Sequence, residues 1–202
     1  MPAMRTRKAA TAMFLVLALT LVGCRDRGRQ SPDDARPIAE RLAGIQPGEE
    51  REMSPGTFMK MHRIQATDPL GDGWQRATSS EGAFSVELPL AFNDFRIRSE
   101  TTDHVERRSH SIGAKSPGLL AWSATCIVRR DGKLNDLNQN GRRPPASGRT
   151  EARGDKAFLR TVSLDAMSCV LVVEAQGTDP LPSANDRERF FQSLKQTGKP
   201  TW

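Results

Sequence analysis

In Phe84-Ser85-Val86-Glu87-Leu88-Pro89, apolar and polar residues alternate through Leu88. That period of two is the signature of a strand with one side buried. Pro89 has no amide hydrogen for a ladder and ends it. Glu81-Gly82 marks the turn that leads in. Phe92 to Arg98 and Thr101 to Ile112 also read as strands, the second so polar that an edge position is expected for it. Leu119 to Val128 is more apolar and better buried, and Arg130-Asp131-Gly132 follows it as a turn. Residues 133–154 are rich in Asn, Gly, Pro and Arg and read as a long loop, with one helical turn at Leu134–Leu137. Lys156 to Ser163 and Met167 to Ala175, joined at Leu164-Asp165-Ala166, read as an antiparallel hairpin.

The final element reads as a helix. Ser183 can cap it and Asp186 stands at the capping-box position. Ala184, Arg187, Phe190, Phe191 and Leu194 share a face, and Gly198 and Pro200 stop it. The expected fold class is therefore α+β, a central antiparallel sheet of about six strands carrying the terminal helix and other helical segments. Residues 74–202 are expected to form this single domain.

The preceding residues 24–73 contain Pro32, Pro37, Pro47, Pro55 and Pro69 among many charges, a composition expected of a tether. A short helix is expected over Arg36–Ile45, where Ile38, Leu42 and Ile45 share a face. Met53, Phe58, Met59, Met61 and Ile64 form an apolar cluster expected to dock first on the domain.

Residues 1–23 have the parts of a secretory signal: Arg5, Arg7 and Lys8, then an apolar run from Ala12 to Val22. As a helix that run rises about 16 Å against a hydrocarbon core of about 30 Å, too short to span. Leu21-Val22-Gly23-Cys24 resembles the lipobox of bacterial lipoproteins. The resemblance implies cleavage before Cys24 and its acylation by diacylglyceryl and fatty acyl groups such as palmitate, a stable membrane anchor. Arg25, rather than Asp, follows the Cys. By resemblance to the enterobacterial sorting rule, this implies the outer membrane, facing the periplasm.

The chain has 30 Lys and Arg against 24 Asp and Glu; without residues 1–23 the balance is 27 to 24. Its arginine pairs at 107–108, 129–130 and 142–143 are dispersed, which argues against a nucleic-acid stripe. With no Tyr and only Trp74, Trp122 and Trp202, a dense stacking platform is excluded as well. Once Cys24 is assigned to lipid, Cys126 and Cys169 remain, an even pair in an oxidising compartment. A disulfide between them is expected, with two buried thiols as the alternative.

Residues 74–89 (WQRATSSEGAFSVELP) and 189–195 (RFFQSLK) resemble the two ends of a PsbP-like exported bacterial domain. That resemblance implies an α/β/α sandwich whose relatives mostly bind or stabilise protein assemblies, and it carries no reaction. Leu90-Ala91-Phe92 replaces the small residues usual after the proline in that family.

Reactive constellations are sparse. His104, Glu106 and His110 fall on one face of an expected strand, but Glu106 and His110 stand about 13 Å apart when extended, so a solvated edge is the expectation and a metal is not. There is no zincin or two-Cys zinc spacing and no Gly-x-Ser-x-Gly. Asp131, Asp136, Asp155 and Asp165 read as turn acids, and Asp136 to Gly141 lacks the later Glu of a calcium loop. No cofactor is expected. The function expected is a lipid-anchored, non-enzymatic envelope module for a membrane or periplasmic protein partner. The alternative is an Arg-rich binder of envelope polyanions or small ligands through residues 129–153, and after it an enzyme with an unrecognised site.

Overall fold

The computed structural model describes residues 42–100, 106–128, 148–165 and 167–200. The lipobox residues Leu21, Val22, Gly23 and Cys24 lie outside them. So do most of the expected helix at 36–45, His104, Arg129-Arg130, Arg142-Arg143 and the expected turns at 131–141.

Eleven strands and one helix make up the described residues: β1 (Glu50–Ser54), β2 (Thr57–Ala66), β3 (Gln75–Thr78), β4 (Phe84–Leu88), β5 (Phe92–Glu100), β6 (Glu106–Lys115), β7 (Leu120–Val128), β8 (Thr150–Arg153), β9 (Ala157–Ser163), β10 (Met167–Ala175), α1 (Ala184–Gln192) and β11 (Lys195–Gln196). Eight strands form one sheet in the order β1-β2-β5-β6-β7-β10-β9-β8, and β11-β4-β3 form a second. Every paired neighbour is antiparallel.

This corrects the α+β reading and the α/β/α sandwich implied by the PsbP-like resemblance. The described part of the protein is mostly β, with a single helix of nine residues. One face of the large sheet is covered mainly by another sheet, so the helical layers of an α/β/α arrangement are not there. Three segments account for the difference. Residues 50–66, assigned to the tether, are β1 and β2, an edge hairpin of the large sheet. Its turn is Ser54-Pro55-Gly56-Thr57, with Gly56 at φ +71°, so Pro55 makes a tight turn where composition suggested a break. Thr150 to Arg153, inside the expected long loop, add an edge strand. The terminal helix stops at Gln192, well before Gly198. Lys195 and Gln196 then pair with Ser85 and Phe84 instead of continuing the helix.

The strand expected at an edge is central. Glu106–Lys115 pairs with β5 on one side and β7 on the other. Ladders on both sides satisfy its backbone groups, and the Ser111 hydroxyl bonds the Thr125 hydroxyl at 2.9 Å.

Register sorts the side chains onto two faces. Phe92, Ile112, Ala114, Trp122, Ala124, Cys126, Cys169, Leu171 and Val173 look inward, under Trp74, Ala77, Phe84, Val86 and Leu88 of the small-sheet segment and Phe190 and Phe191 of α1. Met59, Met61, Phe95 and Ile97 occupy the opposite face, with Met53 of β1 and with Leu42 and Ile45 ahead of it. Cys126 and Cys169 are directly opposed on β7 and β10 and form a disulfide, as their number suggested.

Candidate functional site

The inner face of the large sheet has a polar flank and an apolar one. On the polar flank, Asp94 of β5 is fully buried. It accepts from Ser80 N at 2.8 Å, Ser80 Oγ at 2.5 Å, Ser79 Oγ at 3.3 Å and the Arg63 guanidinium at 3.2 Å. Beside it Glu81 receives Arg96 at 3.0 Å and Lys60 at 3.4 Å. Burial pushes the Glu81 carboxyl up, but His62, Arg96 and Lys60 outweigh that and hold it below the usual range. His110 lies next in the row, opposite Arg96 on one strand and Cys126 on the other. It is 1% exposed and neither ring nitrogen has a hydrogen-bond partner. Burial lowers its pKa to about 4; Glu81 and Asp94 pull upward, while Arg96 and His62 add to the fall. The expected solvated edge at His110 is therefore corrected: it is a buried neutral imidazole.

Gly82 explains how the loop before β4 seats on this flank. A Cβ there would stand 2.6 Å from the His110 Cβ and 2.8 Å from Ser79 Oγ, so only glycine lets the turn approach this closely. Glu106 pairs with Arg108 rather than with a histidine, and no group of three metal-capable residues occurs among the described residues. Asp94 and Glu81 are ion-paired within this flank, while Nε2 of His62, Nε of Arg96 and both ring nitrogens of His110 are buried without a hydrogen-bond partner.

The apolar flank ends differently. Trp74 and Trp122 meet edge to face at 6.0 Å, and Trp122 meets Phe190 likewise at 5.3 Å. Such pairs hold rings in fixed orientations. The Arg189 guanidinium lies 4.3 Å from the Trp74 ring, itself held by Asp72 at 2.7 Å and Glu87 at 2.9 Å. The two indoles form part of the wall of a cleft of about 300 Å³. Its other walls are Pro89 and Leu90 after β4, Ser116 and Leu120 at the β6–β7 turn, and Pro182 and Asp186 at the start of α1.

Each wall is fixed by local chemistry. Ser183 caps α1, accepting from Asp186 N at 3.1 Å and donating to its carboxylate at 2.7 Å. The β6–β7 turn is clamped by residues 176–179: Gln176 N donates to Leu119 O at 3.0 Å, and Thr178 N and Asp179 N donate to Gly118 O at 3.0 and 3.1 Å. Ser116 Oγ donates to the Asp179 carboxylate and accepts from Leu120 N. A Cβ on Gly118 would collide with the Asp179 carboxylate. The clamp leaves Leu119 at φ +71° and 39% exposed, the one large apolar side chain that is exposed among the described residues.

The chain matches no family model, no curated protein and no solved structure. What the cleft can do follows from its own chemistry. Among the described residues its wall is apolar apart from Ser116 and Asp186 and holds no His, Cys or Lys. That combination suits capture of an apolar group, oriented by few polar ones. Trp74, Pro89 and Asp186 each have an ordinary local role in the sequence, and only the fold brings them together. Four separated segments build the cleft, and no local pattern spans them.

Proposed function

We propose that this protein is a lipid-anchored, non-enzymatic binding module of the bacterial cell envelope, held through Cys24 at the outer membrane and meeting a periplasmic or membrane protein through the Trp74–Trp122 cleft. The observation that carries this reading is the contrast in the domain's polar and apolar surfaces. Its described interior charges are engaged with one another, while a rigid apolar cleft stands open beside an exposed leucine. The Cys126–Cys169 disulfide supports an oxidising compartment. The alternative through polyanions places its arginines in residues 129–153, of which 129–147 lie outside the described residues.

The sheet begins earlier than composition suggested, so the link to the membrane is short. Seventeen residues lie between Cys24 and Leu42, and a chain of that length reaches about 60 Å at full extension. Confinement to such a layer raises the effective concentration of the cleft for any membrane partner.

The experiment is radiolabelled palmitate incorporation and membrane fractionation of the full chain. Cys24→Ala is expected to lose the label and leave the membrane fraction. Labelling of that variant at the wild-type level would refute the anchor.

A further inference from the structure

The geometry points to a ligand class for the cleft: an exposed protein segment that presents a proline or aliphatic residue followed by a lysine or arginine. This rests on the binding-module reading above and deepens it.

The apolar half of the match comes from the walls. Pro89 and Pro182 are rigid, and the two indoles are locked by their edge-to-face contacts. A preformed groove of tryptophan and proline suits short extended segments, because neither wall nor ligand then loses much freedom on binding. Leu119, between the wall residues Ser116 and Leu120 in sequence, is 39% exposed at the neighbouring turn.

The cationic half comes from the rim. Asp186 is the one charged residue of the wall, and Ser116 of the wall holds the Asp179 carboxylate behind it. The nearby cations are already engaged: Arg187 donates to Pro182 O at 2.6 Å and lies over the Phe158 ring at 4.0 Å, Lys115 donates to Gln176 Oε1 at 3.1 Å, and Arg189 is held by Asp72 and Glu87. A carboxylate seated against Asp186 would meet like charge. A basic side chain beside an apolar one fits both features.

Fluorescence anisotropy on the full chain in detergent micelles tests this, with two fluorescein-labelled probes: Ala-Leu-Pro-Arg-Ala and Ala-Leu-Pro-Glu-Ala. The arginine probe is expected to bind up to about fivefold more tightly, the scale of an exposed charge pair. Asp186→Asn keeps an acceptor for the Ser183 hydroxyl and should erase that preference. Leu90→Glu should abolish binding of both probes. Leu119→Asn should weaken both while leaving the melting temperature unchanged or raised, since Asn tolerates a left-handed backbone. Equal binding of the two probes, or a preference that survives Asp186→Asn, overturns the proposal. So does an absence of binding to either. Self-association of the chain that Leu119→Asn removes would also overturn it, by placing a second copy in the cleft. Failure of the probes with palmitate labelling of Cys24 intact sinks the ligand class and leaves the anchor standing.

Discussion

Along one row of the inner face the partners run Lys60, Arg96, His110, Cys126, Cys169, Val162; two residues along the strands, part of the row reads Asp94, Ile112, Ala124, Leu171. The β2–β5 side is charged and the β7–β10 side apolar, on one continuous sheet. The apolar side is buried, whereas on the charged side Asp94 and His110 are buried and Lys60, Arg63 and Glu81 stay partly exposed; the two are stabilised by different means. The apolar flank gains from area removed from water and from a covalent bridge. The charged flank must satisfy each buried charge or lose more than it gains. Its turn from Ser79 to Gly82 is built to fit Asp94 and His110. The apolar flank carries the Trp74–Trp122 cleft, and a polar depression of about 420 Å³ lies over α1 and β4.

Breaking the apolar flank should have the largest effect. Replacing both Cys126 and Cys169 by Ala removes a bridge across 43 residues of sequence and should lower unfolding free energy by about 4 kcal/mol in the chain-entropy model. Equilibrium urea unfolding checks this. A loss below 1 kcal/mol would show that the apolar packing holds β7 to β10 unaided.

Acid should separate the two flanks. His110 is neutral in the fold down to pH about 4, whereas an unfolded histidine takes up its proton near pH 6.5. Above that both states are neutral. As pH falls from about 6.5 towards 4, the unfolded chain binds a proton the folded chain refuses, so stability drops by about 3 kcal/mol. His62, also lowered by burial, adds in the same direction. Unfolding curves at several pH values should show this slope in the wild type and a shallower one in His110→Leu. An unchanged slope in the variant would locate the acid sensitivity elsewhere.

The smallest of these effects probes how tightly the charged flank is closed. Gly82→Ala puts a methyl against His110 and Ser79 and should lower stability by about 1–3 kcal/mol, as overpacking does. A neutral result in thermal denaturation would mean the turn can withdraw without losing its bonds to Asp94.

Much of the sheet was readable from periodicity. Phe84–Leu88, Phe92–Glu100 and the Ala157–Ser163 and Met167–Ala175 hairpin stand close to where alternation placed them, and Ser183 caps α1 as its spacing with Asp186 implied. The failures have identifiable causes. Charges and proline in residues 50–66 imitate a tether, because an edge hairpin keeps polar residues outward and uses Pro55-Gly56 to turn. Ser109, His110 and Ser111 made β6 look exposed, although pairing on both sides buries it. The candidate cleft was invisible because its residues come from Trp74, Pro89–Leu90, Ser116–Leu120 and Pro182–Asp186, each of which has an ordinary local role.

By itself the sequence determined that Phe84–Leu88, Phe92–Glu100 and the Ala157–Ser163 and Met167–Ala175 hairpin extend, where the last helix starts, and that Cys126 and Cys169 were available to bridge. Those properties depend on side-chain period, capping and count, all local to the chain. Tertiary structure alone decided that the fold is mostly β, that His110 is buried beside ion pairs, and that two tryptophans 48 residues apart in number form part of one cleft. Those outcomes depend on which strands become neighbours, and pairing energy comes from contacts far apart in sequence.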